Sequence, residues 1–211
     1  ASSANCFSVG HYKSVFPNRS DTFVQGNPYK NRIPNEYDVI IHLIDNKVAP
    51  EEIAQEETKL VQNLAIHPMN HLIIFSSAVT YVNPESQYGQ RKRALENFYK
   101  DFCEKNRIRL TIFRLFNVYG PFQIPFRQGS LVANLIYNAL NCKRTEINDI
   151  EAKRDFMYSE DIPRFIDHTL RHKMEGVFDL GSGKLTTVRE LISFLEGNIL
   201  KEKIEIVRKN N

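Results

Sequence analysis

The chain has 211 residues, enough for one domain of moderate size or one domain plus a small lobe, and its 42% hydrophobic and 25% charged residues are an ordinary balance for a soluble globular protein. Its net charge of +3 is small, and its Lys and Arg residues are scattered apart from Arg91-Lys92-Arg93. That gives no basic tract, so nucleic acid is not an expected partner. Cys6, Cys103 and Cys142 fit neither a zinc site nor a disulfide framework and are expected to be reduced thiols of a cytoplasmic protein. No apolar run approaches the ~20 residues that span a bilayer, and no signal-peptide pattern opens the chain.

Strands and helices alternate along the chain. Thr22–Gln25 is a short strand candidate, and Asp38–Ile44 is a stronger one whose near-continuous apolar content suits a strand buried on both faces. Pro50, Glu51 and Glu52 open a helix, because proline is tolerated in the first turn and carboxylates complement the dipole. It is expected to run to about Ile66. A buried strand follows at 71–76, then a loop ending near Ser86. A long helix from about Ser86 to Asn106 places Ala94, Leu95, Phe98 and Phe102 on one apolar face. Arg109–Leu115 is the next strand. Short links between these elements point to a parallel sheet with helices on its faces.

After Gly120 the character changes. A loop rich in Pro, Gln and Arg covers 121–128, and a helix is expected from Ser130 to Leu140, with Leu131, Leu135 and Ile136 facing inward. A short strand near Thr145–Ile147 precedes the segment Arg154–Tyr158. Ser159 is read as the cap of a helix to about His172, Val177–Leu180 as a strand, and Thr187-Val-Arg-Glu190 as a capping box opening a helix to about Leu195. Lys203–Val207 alternates like an edge strand.

The residues that carry chemistry cluster around the strand at 71–76. Tyr88 and Lys92 are four apart, so on a helix they share a face one turn apart, and Ser77 closes the preceding strand. A free phenol titrates near ~10. An ammonium a few ångströms away favours a phenolate, so such a pair can move a proton on and off a sugar or alcohol oxygen. Spacing alone is weak, since a chain this rich in Tyr and Lys can supply it by chance. Gly181-Ser-Gly-Lys184 lacks the outer glycine and the Ser/Thr of a phosphate loop. The six histidines show no metal-ligand spacing, and no metal is expected.

Context adds weight to the spacing. Phe75-Ser-Ser-Ala-Val-Thr-Tyr81, Tyr88-Gly-Gln-Arg-Lys92 with Glu96, Arg114-Leu-Phe-Asn-Val-Tyr-Gly-Pro121, Arg154-Asp-Phe-Met-Tyr-Ser-Glu-Asp161 and Phe178-Asp-Leu-Gly-Ser-Gly183 stand in this order. Together they resemble the extended short-chain dehydrogenase/reductase superfamily, the NAD-dependent nucleotide-sugar epimerases and dehydratases. The resemblance implies an α/β, Rossmann-like parallel sheet with helices on both faces and a small C-terminal α/β substrate lobe. Residues 1–120 would form the cofactor domain with its catalytic helix, and 121–211 mostly the substrate lobe, with 159–180 returning to the Rossmann sheet.

By the same resemblance, Ser77, Tyr88 and Lys92 are the catalytic group, with Tyr88 as general acid/base. The cofactor is NAD or NADP, contacted by Ile44, Ser76, Tyr88, Lys92 and Leu115. The substrate is a nucleotide-activated sugar, contacted by Ser77, Asn117 and Arg154, whose guanidinium suits a pyrophosphate. A homodimer through helices near 50–66 and 86–106 is implied. The alternative is a non-catalytic scaffold or ligand-binding relative that has lost the cofactor loop.

The chain also departs from the family. None of its nine glycines forms the Gly-rich turn that takes a cofactor pyrophosphate. Asn5–Val9 reads as a remnant of the family's second strand. The expectation is therefore a chain without part of its natural N-terminus, or one from which a disordered segment is left out, and without the segment that closes over the nucleotide beyond Val207. Ile44-Asp45 stands where the family usually places two small residues against the cofactor, and Ala54 where it often has Asn.

Overall fold

The computed structural model describes residues 7–10, 22–25, 29–30, 37–45, 47–64, 69–127, 130–200 and 203–208. Two compact units result. The first contains Ala1–Phe113 and Glu175–Val177, and the second contains Arg114–Met174 and Phe178–Asn211.

In the first unit, β1 (Phe7–Gly10) and β2 (Thr22–Gln25) form a parallel pair with Phe7 opposite Thr22. A second sheet begins with β3 (Val39–His42), parallel to β4 (His71–Ser77), with Val39 opposite His71 and His42 opposite Ile74. β3 is shorter than the apolar run predicts, because Leu43, Ile44 and Asp45 leave the ladder. Helix α1 (Ile53–Asn63) is preceded by a 3₁₀ turn at Pro50–Glu52. It ends when Leu64 turns extended; its expected end near Ile66 lies outside the described residues.

The stretch after β4, expected as loop, contains a one-turn helix, α2 (Val79–Val82). Helix α3 (Gln87–Asn106) is capped by Ser86, whose Oγ accepts from Gly89 N at 3.1 Å, and it closes on Arg107 in the left-handed region at φ 56°. β5 (Arg109–Leu115) lies beside β4, and the sheet order is β3-β4-β5, with Gly176 and Val177, the first residues of β9 (Gly176–Leu180), at the far edge.

The core of this unit is the seam between α1, α3 and the sheet. Ile53, Leu72, Ile74, Leu95, Tyr99 and Ile112 are buried there, and Ala94, Phe98 and Phe102 pack against them. Exposed positions on the outward faces of α1 and α3 include Lys59, Gln62, Asn97 and Lys100. A second copy docking on those positions would meet a polar surface.

The seam also holds a polar cluster that the apolar pattern does not predict. Glu57 on α1 is fully buried. It accepts hydrogen bonds from Tyr99 Oη at 2.6 Å and Tyr29 Oη at 3.1 Å, and His42 Nε2 lies 3.2 Å from its second oxygen. Burial alone raises a carboxyl's pKa, but the His42 ring and the two phenols outweigh it and hold Glu57 below its ordinary value. His71 is buried with Nε2 2.8 Å from Thr111 Oγ1. Burial, then the Arg109 charge, push its pKa below the usual histidine value.

The second unit contains β6 (Asn117–Tyr119), α4 (Leu131–Leu140), β7 (Thr145–Ile147), β8 (Lys153–Tyr158), α5 (Ile162–His172), most of β9, β10 (Leu185–Thr187), α6 (Val188–Asn198) and β11 (Ile206–Arg208). β8 is central in a three-stranded sheet, antiparallel to β10 and parallel to β6. β7 and β11 form a parallel pair. The predicted capping box of α6 is present: Thr187 Oγ1 accepts from Glu190 N at 3.0 Å, and Glu190 Oε2 accepts from Thr187 N at 2.7 Å. Ser159 is not a helix cap. It lies inside a 3₁₀ turn, Ser159–Asp161, that leads into α5, which has Pro163 in its first turn. Leu135, Ile147, Val188, Ile192 and Leu195 form this unit's own core.

Both groups make stability fall with acid, the histidine from a higher pH than the carboxyl. A histidine held below its ordinary value stabilises the fold fully above an unfolded value near 6.5, and that contribution is lost as pH falls below it. A carboxyl held low stabilises above an unfolded value near 4.5 and loses the contribution as pH falls through its folded value. Chemical denaturation across pH is therefore expected to show two declines, and His71→Gln is expected to flatten only the first. Tyr99→Phe deprives buried Glu57 of a donor and is expected to cost about 1–3 kcal/mol of unfolding free energy at neutral pH.

Candidate functional site

The first unit gathers its chemistry at the C-terminal end of β4. Ser76 and Ser77 close the strand and point to different environments. Ser76 is buried, and its Oγ donates to Glu96 Oε1 on α3 at 2.6 Å. The Ser76 hydroxyl, expected among the cofactor contacts, is thus engaged in tying the strand to the helix. Ser77 is partly buried. Its Oγ accepts from Val79 N at 3.3 Å, and its carbonyl accepts from Thr80 Oγ1 at 3.0 Å, which turns the chain into α2.

Helix α3 then returns across the strand end. Ser86 fixes its start, and Gly89 allows a close approach: a Cβ there would sit 2.5 Å from the Asn83 carbonyl oxygen. Arg93 donates from Nε and Nη2 to the Thr80 carbonyl at 3.3 and 3.1 Å, so α2 and α3 are joined on a second side. With the first turn held this way, Tyr88 is 39% exposed and Lys92 is buried one turn later.

Lys92 Nζ donates to the Phe75 carbonyl at 3.4 Å and lies 3.0 Å from Asp45 Oδ1. It is 5.6 Å from the centre of the Tyr88 ring, and the Arg91 guanidinium is 5.7 Å from the same ring. Ile44, expected against the cofactor, is partly buried and directly precedes Asp45. The helix therefore brings Tyr88 and Lys92 together as its spacing predicts. It also adds a partner, Asp45, that the spacing does not reveal.

The remaining candidates belong to the second unit. Leu115 ends β5 and is partly buried. Asn117 Nδ2 donates to the Asp155 carbonyl at 3.1 Å, which ties β6 to β8. Arg154 is exposed on β8 opposite Thr186. Its neighbour Asp155, which the sequence did not single out, is buried and organises the turn after β9. Its carboxylate accepts from Ser182 N and Ser182 Oγ, both at 2.7 Å, and from Gly183 N at 2.9 Å. Gly181 is needed beside it, because a Cβ there would meet Asp155 Oδ2 at 2.5 Å. The signal was present in the sequence: an acid inside a strand survives burial only with donors around it, and a Gly-Ser-Gly turn supplies them.

Among the described residues, no group of three or more His, Cys, Asp or Glu side chains is placed to hold a metal ion. None of their helices is long and apolar enough to cross a membrane. The Lys92 ammonium holds two oxygens, Asp45 Oδ1 beyond the end of β3 and the Phe75 carbonyl near the C-terminal end of β4; its donors are of the kind that could hold the hydroxyls of a dinucleotide ribose, and the C-terminal end of parallel strands is where open α/β sheets take ligands.

A putative UDP-glucose 4-epimerase of Methanocaldococcus jannaschii is 31% identical over 119 residues, which are 56% of this chain and 39% of that protein. UDP-glucuronic acid decarboxylase 6 of Arabidopsis thaliana is 23% identical over 194 residues, 91% of this chain and 55% of the relative. The chain thus spans between two fifths and just over half of these relatives.

Among solved structures, UDP-N-acetylglucosamine 4-epimerase from Methanobrevibacter ruminantium, in complex with UDP-N-acetylmuramic acid, superposes with a TM-score of 0.81 at 20% identity, covering 97% of this chain and 77% of that one. UDP-glucuronic acid 4-epimerase from Bacillus cereus, in complex with UDP-glucuronic acid and NAD, gives 0.78 at 20% identity, covering 97% and 78%. At that identity the likeness is one of fold, and it is α/β and Rossmann-like. The family described as NAD dependent epimerase/dehydratase matches residues 33–181, a span that runs from β3 through β4 and α3 to β9, and this chain belongs to it.

Proposed function

We propose that the protein is an NAD(P)-dependent enzyme of epimerase, dehydratase or reductase type acting on a nucleotide-activated sugar, with Tyr88 as its general acid/base. The observation that carries this reading is the placement of Tyr88 and Lys92 one turn apart on α3, over the end of a strand that closes on Ser77. The chain's membership of the family supports the class of chemistry. The relatives named for UDP-sugars support the class of substrate.

In this reading the substrate oxygen sits between the Ser77 hydroxyl and the Tyr88 phenol. Ser77 orients it, and Tyr88 takes or returns its proton. The partial exposure of Tyr88 leaves its ring open to a ligand from the solvent side. Lys92 Nζ holds ribose hydroxyls and lends positive charge beside the phenol. The nicotinamide, when bound, accepts and returns hydride at the sugar carbon. In the second unit, Arg154 is exposed and carries the guanidinium suited to a pyrophosphate. Asn117, on β6, is tied to β8 through the Asp155 carbonyl and offers the rest of its amide to the nucleotide or sugar.

Tyr88→Phe removes the proton carrier and little else. In the full-length protein, turnover of the nucleotide sugar that supports activity is expected to fall about 10²–10⁴-fold. The affinity for NAD(H) or NADP(H), read by calorimetry, is expected to stay within a few-fold. Wild-type turnover in that variant would remove Tyr88 from the chemistry.

A further inference from the structure

Lys92 is the one lysine or arginine buried among the described residues. A buried ammonium requires compensation, and here most of it comes from Asp45. The two side chains differ in access. That of Lys92 is 8% exposed and that of Asp45 is 33% exposed, with 3.0 Å between Nζ and Oδ1. The carboxylate is thus more open to solvent than its partner. It stands in the segment that has left the sheet after His42, so no strand hydrogen bonding pins it.

An ammonium has three donors. Asp45 and the Phe75 carbonyl take two of them, and a vicinal diol that bridges the ammonium requires two. The Phe75 carbonyl belongs to a strand and cannot leave, whereas Asp45 can. We propose that Asp45 is an internal ligand of Lys92 that gates the site: a hydroxyl-bearing ligand engages Lys92 by displacing the Asp45 carboxylate from it. The proposal rests on the reading that the site takes a nicotinamide dinucleotide, whose ribose diol is the competing ligand. Asp45 acts through Lys92 and is a positioning residue, not a catalytic one.

The gate sets two properties of the site. It keeps the ammonium compensated while no ligand is bound. It also charges every ligand the cost of breaking an ion pair, so affinity is lower than the contacts alone would give. An ion pair worth up to about 1 kcal/mol corresponds to at most about 5-fold in affinity, and releasing this one is expected to weaken binding by a factor of that order.

The test uses the full-length protein as wild type, Asp45→Asn and Asp45→Ser, with folding of each checked by circular dichroism. NADH and NADPH binding is titrated by nicotinamide fluorescence. Separately, and with no cofactor present, the acylation rate of the Lys92 amine is followed by trace labelling with acetic anhydride and mass spectrometry. The gate requires that both variants bind the preferred cofactor more tightly and that Lys92 labels several-fold faster in both. Faster labelling with unchanged or weaker binding would show that the pair exists but does not compete, which overturns the gate and leaves the proposed function standing. Unchanged labelling would show that Asp45 does not hold Lys92, which also overturns it. Failure of wild type and both variants to bind either cofactor overturns the gate together with the cofactor-dependent function on which it rests.

Discussion

Lys92 carries a charge into the interior of the first unit, and much of the local arrangement follows from that constraint. A buried cation must be met by oxygens at hydrogen-bond distance. The Phe75 carbonyl and Asp45 meet it from two different segments, the body of β4 and the chain leaving β3. Helix α3 must therefore lie across the ends of both strands at one axial position. That position is enforced elsewhere by Ser76 on Glu96, Arg93 on Thr80 and the Ser86 cap. Tyr88 inherits its place from these contacts. It is 39% exposed and so remains open to solvent while its neighbour one turn on is buried.

The α1–α3 seam solves a related problem. Glu57 would be costly in an apolar seam, yet Tyr99, Tyr29 and His42 surround its carboxylate so completely that it stays ionised below its ordinary range. The cluster links α1, α3, the end of β3 and Tyr29. His42 and Asp45 lie on the same short stretch of chain. The cluster that sets the helix pair thus also anchors the base of the segment carrying the Lys92 partner.

The sequence made the regular part of this legible. β4, α3 and β5 follow from an apolar run, a Ser cap with an apolar helical face, and a second apolar run, and all three lie close to where those signals place them. Of the short elements, β2 and β7 were read, but α2, β6 and β10 escaped because nothing local defines them. α2 has four residues in what reads as loop, and β6 and β10 have three residues each and are strands only because β8 lies beside them. Tyr88 and Lys92 were readable from helical spacing, since the helix itself makes them neighbours. Glu57, Asp155 and Asp45 were not read as working groups. An acidic residue on a helix or after a strand is ordinarily a solvated one, and each owes its role to partners distant in sequence. The departure at Ile44-Asp45 was visible, but the Lys92 contact that gives it meaning required the fold.

That contact changes the electrostatics around the phenol. An isolated ammonium near a phenol favours the phenolate by a charge–charge interaction that falls off as the inverse of distance. With Asp45 Oδ1 at 3.0 Å, Lys92 presents an ion pair instead, whose field at the Tyr88 ring is that of a dipole and falls off faster. The Arg91 guanidinium, at nearly the same distance from the ring as Lys92, then becomes the nearer uncompensated charge. Displacing Asp45 restores the full charge of Lys92 beside Tyr88. The field that Lys92 presents at the Tyr88 ring is thus set by whether Asp45 or another group occupies its donors.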